Sequence, residues 1–120
     1  MTHKSELGAA GEETAAEYLE KHKYKILDRN YRQPWGEIDL IALSPDKTLV
    51  FIEVKTVSGE RPLITAEEQV TKSKLTKLKR TCQLYANQYE KLSEKGWRID
   101  VLAINSIGEE WQIKHYENVF

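Results

Sequence analysis

Gly36-Glu37-Ile38-Asp39-Leu40-Ile41-Ala42-Leu43 and Leu49-Val50-Phe51-Ile52-Glu53-Val54-Lys55-Thr56, separated by a turn at Ser44-Pro45-Asp46-Lys47, decide the fold. Both runs have the length and β-branched content of strands. Side chains on a strand alternate between its faces. Glu37, Asp39, Ile41 and Leu43 are therefore expected on one face of the first run, with Ile38, Leu40 and Ala42 on the other. On the second run Leu49, Phe51, Glu53 and Lys55 oppose Val50, Ile52 and Val54. Apolar residues on both faces suit a central sheet covered on both sides. So short a connection predicts an antiparallel hairpin.

Asp39, Glu53 and Lys55 interrupt these oily runs. Leaving an ion unpaired in such surroundings costs several kcal/mol. Charges persist there when paired, metal-bound or open to a cleft. Two acids and a lysine on one hairpin can converge. A pair of carboxylates is a common protein contribution to a Mg²⁺ site, with water and phosphate completing the octahedron. Lys55 would stand about 6–7 Å beyond Glu53 along the strand. From there its ammonium can orient a water or stabilise developing negative charge. The competing reading is a solvent-facing cross-strand ion pair; the continuous hydrophobic flanks argue against it.

Outward from the hairpin, the spacing predicts a first helix from Ser5 to Lys21. Leu7, Ala10, Thr14 or Ala15, Tyr18 and Leu19 recur at helical spacing and form its apolar side. Gly8 and Gly11 each cost roughly 1 kcal/mol in a helix relative to alanine, and permit close approach of a backbone or ligand. Tyr24 to Tyr31 reads as the first strand, ahead of the Gln33-Pro34-Trp35-Gly36 turn. A loop from Val57 to Leu63 leads to a long helix over residues 65–94. Its stripe is Leu75, Leu78, Cys82, Tyr85, Tyr89 and Leu92. Strands at Trp97–Ile104 and Glu110–Tyr116 complete the chain, so the order is helix, three strands, helix, two strands.

At 120 residues, one domain over 1–120 is expected. Apolar residues at 40% and charged residues at 31% suit an ordered globular chain. No apolar run approaches the ~18 residues that span a bilayer, and the first residues carry no signal-peptide pattern. A cytoplasmic location without membrane association is the expectation. The single cysteine, Cys82, excludes an intramolecular disulfide and a cysteine-rich zinc site, and reads as a core thiol. Net charge is −1 and the pI is near 6.3, which gives no global basic footprint for nucleic acid. Positive charge is nonetheless clustered at Lys72, Lys74, Lys77, Lys79 and Arg80, and the local field matters more than the sum. Lysines early in a helix oppose its dipole; an anionic partner would account for them, and a solvated face paired with Glu67 and Glu68 is the alternative.

The Glu-Ile-Asp strand, thirteen residues between Asp39 and Glu53, and Glu53-Val54-Lys55 together resemble the signature of the PD-(D/E)XK nuclease superfamily. More narrowly, the chain resembles the YraN-like family of uncharacterised proteins, related in fold to archaeal Holliday junction resolvases. The likeness extends to Gly8–Ala16 with Glu12, to Tyr24–Arg32, to Val70-Thr71 followed by Lys74, and to Arg98-Ile99-Asp100-Val101. Ile38 stands where the superfamily name has proline; the YraN-like pattern also has isoleucine there. The resemblance implies an α/β, restriction-endonuclease-like αβββαβ core, with a mixed sheet flanked by helices. It implies a Mg²⁺- or Mn²⁺-dependent phosphodiesterase site, with Asp39 and Glu53 as metal ligands, Lys55 as catalytic lysine and Glu12 as a further acid. It also implies a homodimer.

Glu37 is a candidate third ligand, with an exposed strand-end acid as the alternative. Lys74 is the nucleic-acid contact the resemblance favours. Lys72, Arg29, Arg32 and Arg61 lie where they can touch a backbone. Trp35 can stack on a base or fill its turn, and packing is the preferred reading. Trp97 and Trp111 read as core. His3, His22 and His115 lack ligand spacing, although His115 sits at a strand end from which it can approach the site. Three functions compete. The first is a metal-dependent endonuclease acting on DNA, including branched or structured DNA. The second is an inactive nucleic-acid-binding module on the same fold. The third is a protein adaptor using Tyr85, Tyr89 and Leu92.

Overall fold

The computed structural model describes residues 6–58 and 72–119. The elements are α1 (Glu6–Lys21), β1 (Lys25–Gln33), β2 (Gly36–Leu43), β3 (Leu49–Ser58), α2 (Lys72–Gln88), β4 (Trp97–Ile107) and β5 (Glu110–Tyr116). The α/β class and the element order agree with the reading of the sequence. Ser5, Arg61, Glu67, Glu68 and Val70-Thr71 lie outside the described residues, as does the stretch 65–71 of the expected long helix.

The five strands form one mixed sheet in the order β1-β2-β3-β4-β5. Pairing is antiparallel for β1–β2, β2–β3 and β4–β5, and parallel for β3–β4. Parallel neighbours need a crossover connection, and α2 lies within it. Each sheet face carries its own apolar cluster. On one face Ala15, Ala16 and Leu19 of α1 pack with Leu40, Ala42, Val50, Ile52, Leu102 and Ile104. On the other, Leu78, Cys82, Tyr85 and Ala86 of α2 pack with Ile38, Ile41, Leu49, Phe51 and Ile99. Both faces of β2 and β3 are thus covered, as their unbroken apolar runs require.

Strict alternation fails at Asp39. Ile38 packs with the α2 cluster although Leu40, two residues on, packs with the α1 cluster. The neighbouring strand shows the same switch. Arg29 pairs with Glu13 of α1, whereas Tyr31 meets Tyr85 of α2 edge-on at 5.1 Å. Asn30 between them has φ 52°, a left-handed conformation that asparagine tolerates better than most residues. The expected face is therefore corrected for Ile41 alone, which packs with the α2 cluster, while the carboxylates of Glu37 and Asp39 gather with Glu12 of α1; the two strands change face at Asn30 and Asp39.

Helix α2 ends at Gln88, not near Glu94. The Ser93 hydroxyl donates to the Ala86 carbonyl at 3.2 Å, closing the chain into a turn before Gly96, whose φ is 83°. Tyr85 is buried and Tyr89 is 46% exposed. The adaptor reading thereby loses the inner part of its contact surface. Cys82 is fully buried and burial pushes its thiol pKa far up, which fits a core thiol.

Candidate metal and phosphate site

The site forms where β2 and β3 part. Their ladder runs from Leu43–Leu49 to Leu40–Ile52, while β3 stays paired with β4 as far as Ser58. Just past the last β2 pair, the Val54 backbone N–H donates to Asp39 Oδ2 at 2.8 Å. Asp39 thus substitutes a side chain for the missing backbone partner. The divergence opens a cavity of about 290 Å³, with Glu12, Asp39, Glu53, Lys55, Thr56 and Lys74 in its lining.

Helix α1 reaches this cavity because Gly11 lies against Thr56. A Cβ on Gly11 would overlap Thr56 Oγ1 and stand 2.7 Å from its Cγ2. The close approach brings Glu12 to the strands: carboxylate oxygens of Glu12, Glu37 and Asp39 lie within 4.8 Å of one another. Glu53 faces the same cavity but is turned to Lys74, whose Nζ donates to Oε1 at 2.6 Å. The Glu53 side chain is 13% exposed. Burial first, and the nearby Asp39 carboxylate second, raise its pKa above the ordinary value; Lys74 and Lys55 offset part of that rise. Lys55 is exposed, two residues beyond Glu53.

Of the residues named from sequence, the fold brings together Asp39, Glu53, Lys55, Glu12, Glu37 and Lys74. The Lys74 ammonium rests on the Glu53 carboxylate at the mouth of this cavity. Arg32 pairs with Glu37 at 3.4 Å. Arg29 pairs with Glu13 at 2.8 Å and is absent from the cavity lining. Lys72 begins α2.

The donor set fits a hard divalent cation. Such ions take oxygen ligands, with carboxylates preferred. Three carboxylates and two ammonium groups line the cavity, and Glu37 adds a further acid beside them. Burial, and then the Asp39 carboxylate, disfavour ionised Glu53, and a cation placed among these oxygens would offset both.

His115 does not approach this site. It belongs to a second polar group on the α1 face of β4, which the sequence reading did not assign. Asp100 there is fully buried. It accepts from Arg98 Nε at 3.0 Å, His115 Nε2 at 2.7 Å and the Asn118 backbone at 2.8 Å. Burial pushes the Asp100 pKa up, but these donors outweigh it and hold the carboxyl below its ordinary value. Asp100, His115 and Glu117 offer ligand atoms within 4.8 Å of one another, but Arg98 spans this group. Its guanidinium is 3.0 Å from Asp100 and 3.3 Å from Glu117, supplying the positive charge a metal would bring. The available signal was Asp100 itself, an acid between Ile99 and Val101 in an apolar strand, the same pattern as Asp39.

The profile of the uncharacterised protein family UPF0102 matches residues 11–104. A UPF0102 protein of Geobacter metallireducens is 41% identical over 125 residues, spanning 98% of this chain and 94% of its own length. One from Alkaliphilus oremlandii is 40% identical over 95% of this chain and 97% of its own length. One from Rhodococcus opacus is 42% identical over the full length of both.

Proposed function

The chain belongs to the uncharacterised protein family UPF0102, and we propose that it is a metal-dependent endonuclease that hydrolyses DNA phosphodiester bonds. In this reading residues 1–120 form one restriction-endonuclease-like domain of the PD-(D/E)XK type. The carrying observation is the gathering of Glu12, Glu37, Asp39 and Glu53 with Lys55 and Lys74 where two central strands separate.

Asp39, Glu53 and Glu37 would hold Mg²⁺ or Mn²⁺, with Glu12 as a further acid. Such an ion supplies Lewis acidity toward a phosphoryl oxygen and lowers the pKa of water. The protein's own groups supply position and charge. Asp39 is held in place by the hydrogen bond its carboxylate accepts from the Val54 N–H. Lys55 offers an ammonium to the non-bridging oxygens as negative charge grows on them, an electrostatic role of large effect in a partly desolvated cleft. Lys74 leaves Glu53 for the incoming phosphate, trading a carboxylate partner for another anion. Branched or otherwise structured DNA is the favoured substrate, and a homodimer acting in the cytoplasm the favoured state.

The test is cleavage of junction, flap and duplex DNA with Mg²⁺ or Mn²⁺. Wild type should cut, chelator should stop it, and Asp39→Asn, Glu53→Gln and Lys55→Ala should each lower the rate by roughly 10²-fold or more. Equal cleavage by wild type and all three variants would overturn the reading. A second reading, a nucleic-acid-binding module without turnover, is favoured by the Lys74–Glu53 pair, which neutralises one acid internally. It predicts metal-independent, salt-sensitive binding that survives Asp39→Asn.

A further inference from the structure

We propose that the cavity between Trp35 and α2 is a subsite for an unpaired nucleotide next to the phosphate being cut; this deepens, and rests on, the nuclease reading above. The cavity holds about 380 Å³ and is lined by Trp35, Glu37, Lys74, Lys77, Leu78 and Thr81, among others. Lys74 also lines the acidic cavity, and Glu37 belongs to the carboxylate group there. The two spaces are therefore neighbours sharing one wall, and a chain lying across the acids would lead from one into the other.

Trp35 is held as a fixed surface. Its Nε1–H donates to Thr81 Oγ1 at 2.8 Å. Thr81 is buried and its hydroxyl donates to the Lys77 carbonyl at 3.0 Å. The Arg80 guanidinium lies 3.9 Å from the centre of the indole. A rigid aromatic wall binds with little loss of side-chain freedom. A hairpin staple alone would explain the hydrogen bond, but not the company the indole keeps. Lys74 and Lys77 stand one helical turn apart beside it, and Lys77 is exposed with no ion pair among the described residues.

Indole and Leu78 offer apolar contact; the lysines offer positive charge. An unpaired nucleotide matches both, because it presents a flat π face and a phosphate together. Within an intact duplex the base faces are already stacked, and only phosphates and groove edges reach a protein. Proteins that hold single strands combine aromatic platforms with a basic track in this way. The occupant is therefore a nucleotide in a single strand, flap or junction arm, and the preference for such DNA is built into the cavity beside the acids.

The experiment uses fluorescence anisotropy of a fluorescein-labelled oligothymidylate and of a blunt duplex of equal length, both in chelator so that no cleavage intervenes. Wild type should bind the single strand more tightly than the duplex. Trp35→Ala should weaken single-strand binding roughly tenfold and affect the duplex less, while Trp35→Phe should retain most of the affinity. Lys77→Ala should reduce the salt slope by about one, and Lys91→Ala should change nothing. If Trp35→Ala fails to fold, by circular dichroism, the exposed Lys77 position and Trp35→Phe carry the test. Absence of single-strand binding, a preference for duplex, or affinity indifferent to Trp35 and Lys77 would overturn the inference. The two claims fail separately. Trp35-dependent binding without cleavage under metal removes the nuclease reading alone. Cleavage by a protein whose binding ignores Trp35 and Lys77 removes this inference alone.

Discussion

Asp100→Asn should strip the fold of a large part of its stability without touching the acidic cavity. The carboxylate is fully buried and takes Arg98 through Nε at 3.0 Å and Nη2 at 3.4 Å. It also takes His115 at 2.7 Å and the Asn118 backbone at 2.8 Å. An amide of the same shape keeps one acceptor oxygen and turns an NH₂ group toward donors. Removing one partner of a buried ion pair costs about 3–5 kcal/mol. Arg98 is itself 19% exposed, so water recovers some of its charge and the lower end, about 3 kcal/mol, is expected. A chain of this size is stable by roughly 6–18 kcal/mol at the usual per-residue average. The loss should lower the melting temperature by about 10 °C. Urea unfolding at pH 7, followed by circular dichroism, measures it as a shifted midpoint at unchanged slope.

The pH dependence has a definite sign. The folded Asp100 pKa lies below its ordinary 3.8, so its contribution is complete above that value. It is lost as pH falls through the lowered folded pKa. The gap between wild type and variant should therefore narrow on acidification. A difference under about 1 kcal/mol at pH 7, or a gap that does not narrow in acid, would refute the assignment of Asp100 as an anchored buried anion.

Glu53→Gln should move stability the other way. Burial and Asp39 raise the folded pKa of Glu53 above 4.5, so wild type is penalised at pH values above that raised pKa and relieved as pH falls toward 4.5. The variant should gain about 1 kcal/mol at pH 8, shrinking in acid, by thermal melts across pH; a variant less stable than wild type at pH 8 would count against the crowding. Gly11→Ala places a methyl against the Thr56 side chain on β3, which must shift to admit it. A loss of about 1–3 kcal/mol is expected, partly recovered with Thr56→Ala, and denaturant melts of both check it.

Much of this arrangement could be read from the chain, and what escaped has identifiable causes. Asp39 and Glu53 stood out because each is flanked by apolar β-formers, and the hairpin that joins them is local. β5, expected at Glu110–Tyr116, occupies that same range, bounded by the Gly108-Glu109 turn. The face switch at Asp39 was invisible, because it depends on Asn30 adopting φ 52° on the adjacent strand. The end of α2 was misplaced because Tyr89 and Leu92 continue the helical stripe, while a Ser93 hydroxyl bond to Ala86 closes the turn. Arg98 carries no local signal of its role. Its partners Tyr24 and Glu117 come from opposite ends of the chain, and no local pattern unites them.

Titration of the metal-free protein with Mn²⁺, read by the paramagnetic signal of the free ion, addresses the acidic cavity without any substrate. Wild type should take up the ion in a saturable manner, and Asp39→Asn and Glu53→Gln should each bind at least tenfold more weakly while keeping a native circular dichroism spectrum. Uptake that is equal in all three proteins, or missing from wild type, would contradict the claim that these carboxylates are assembled around a cation.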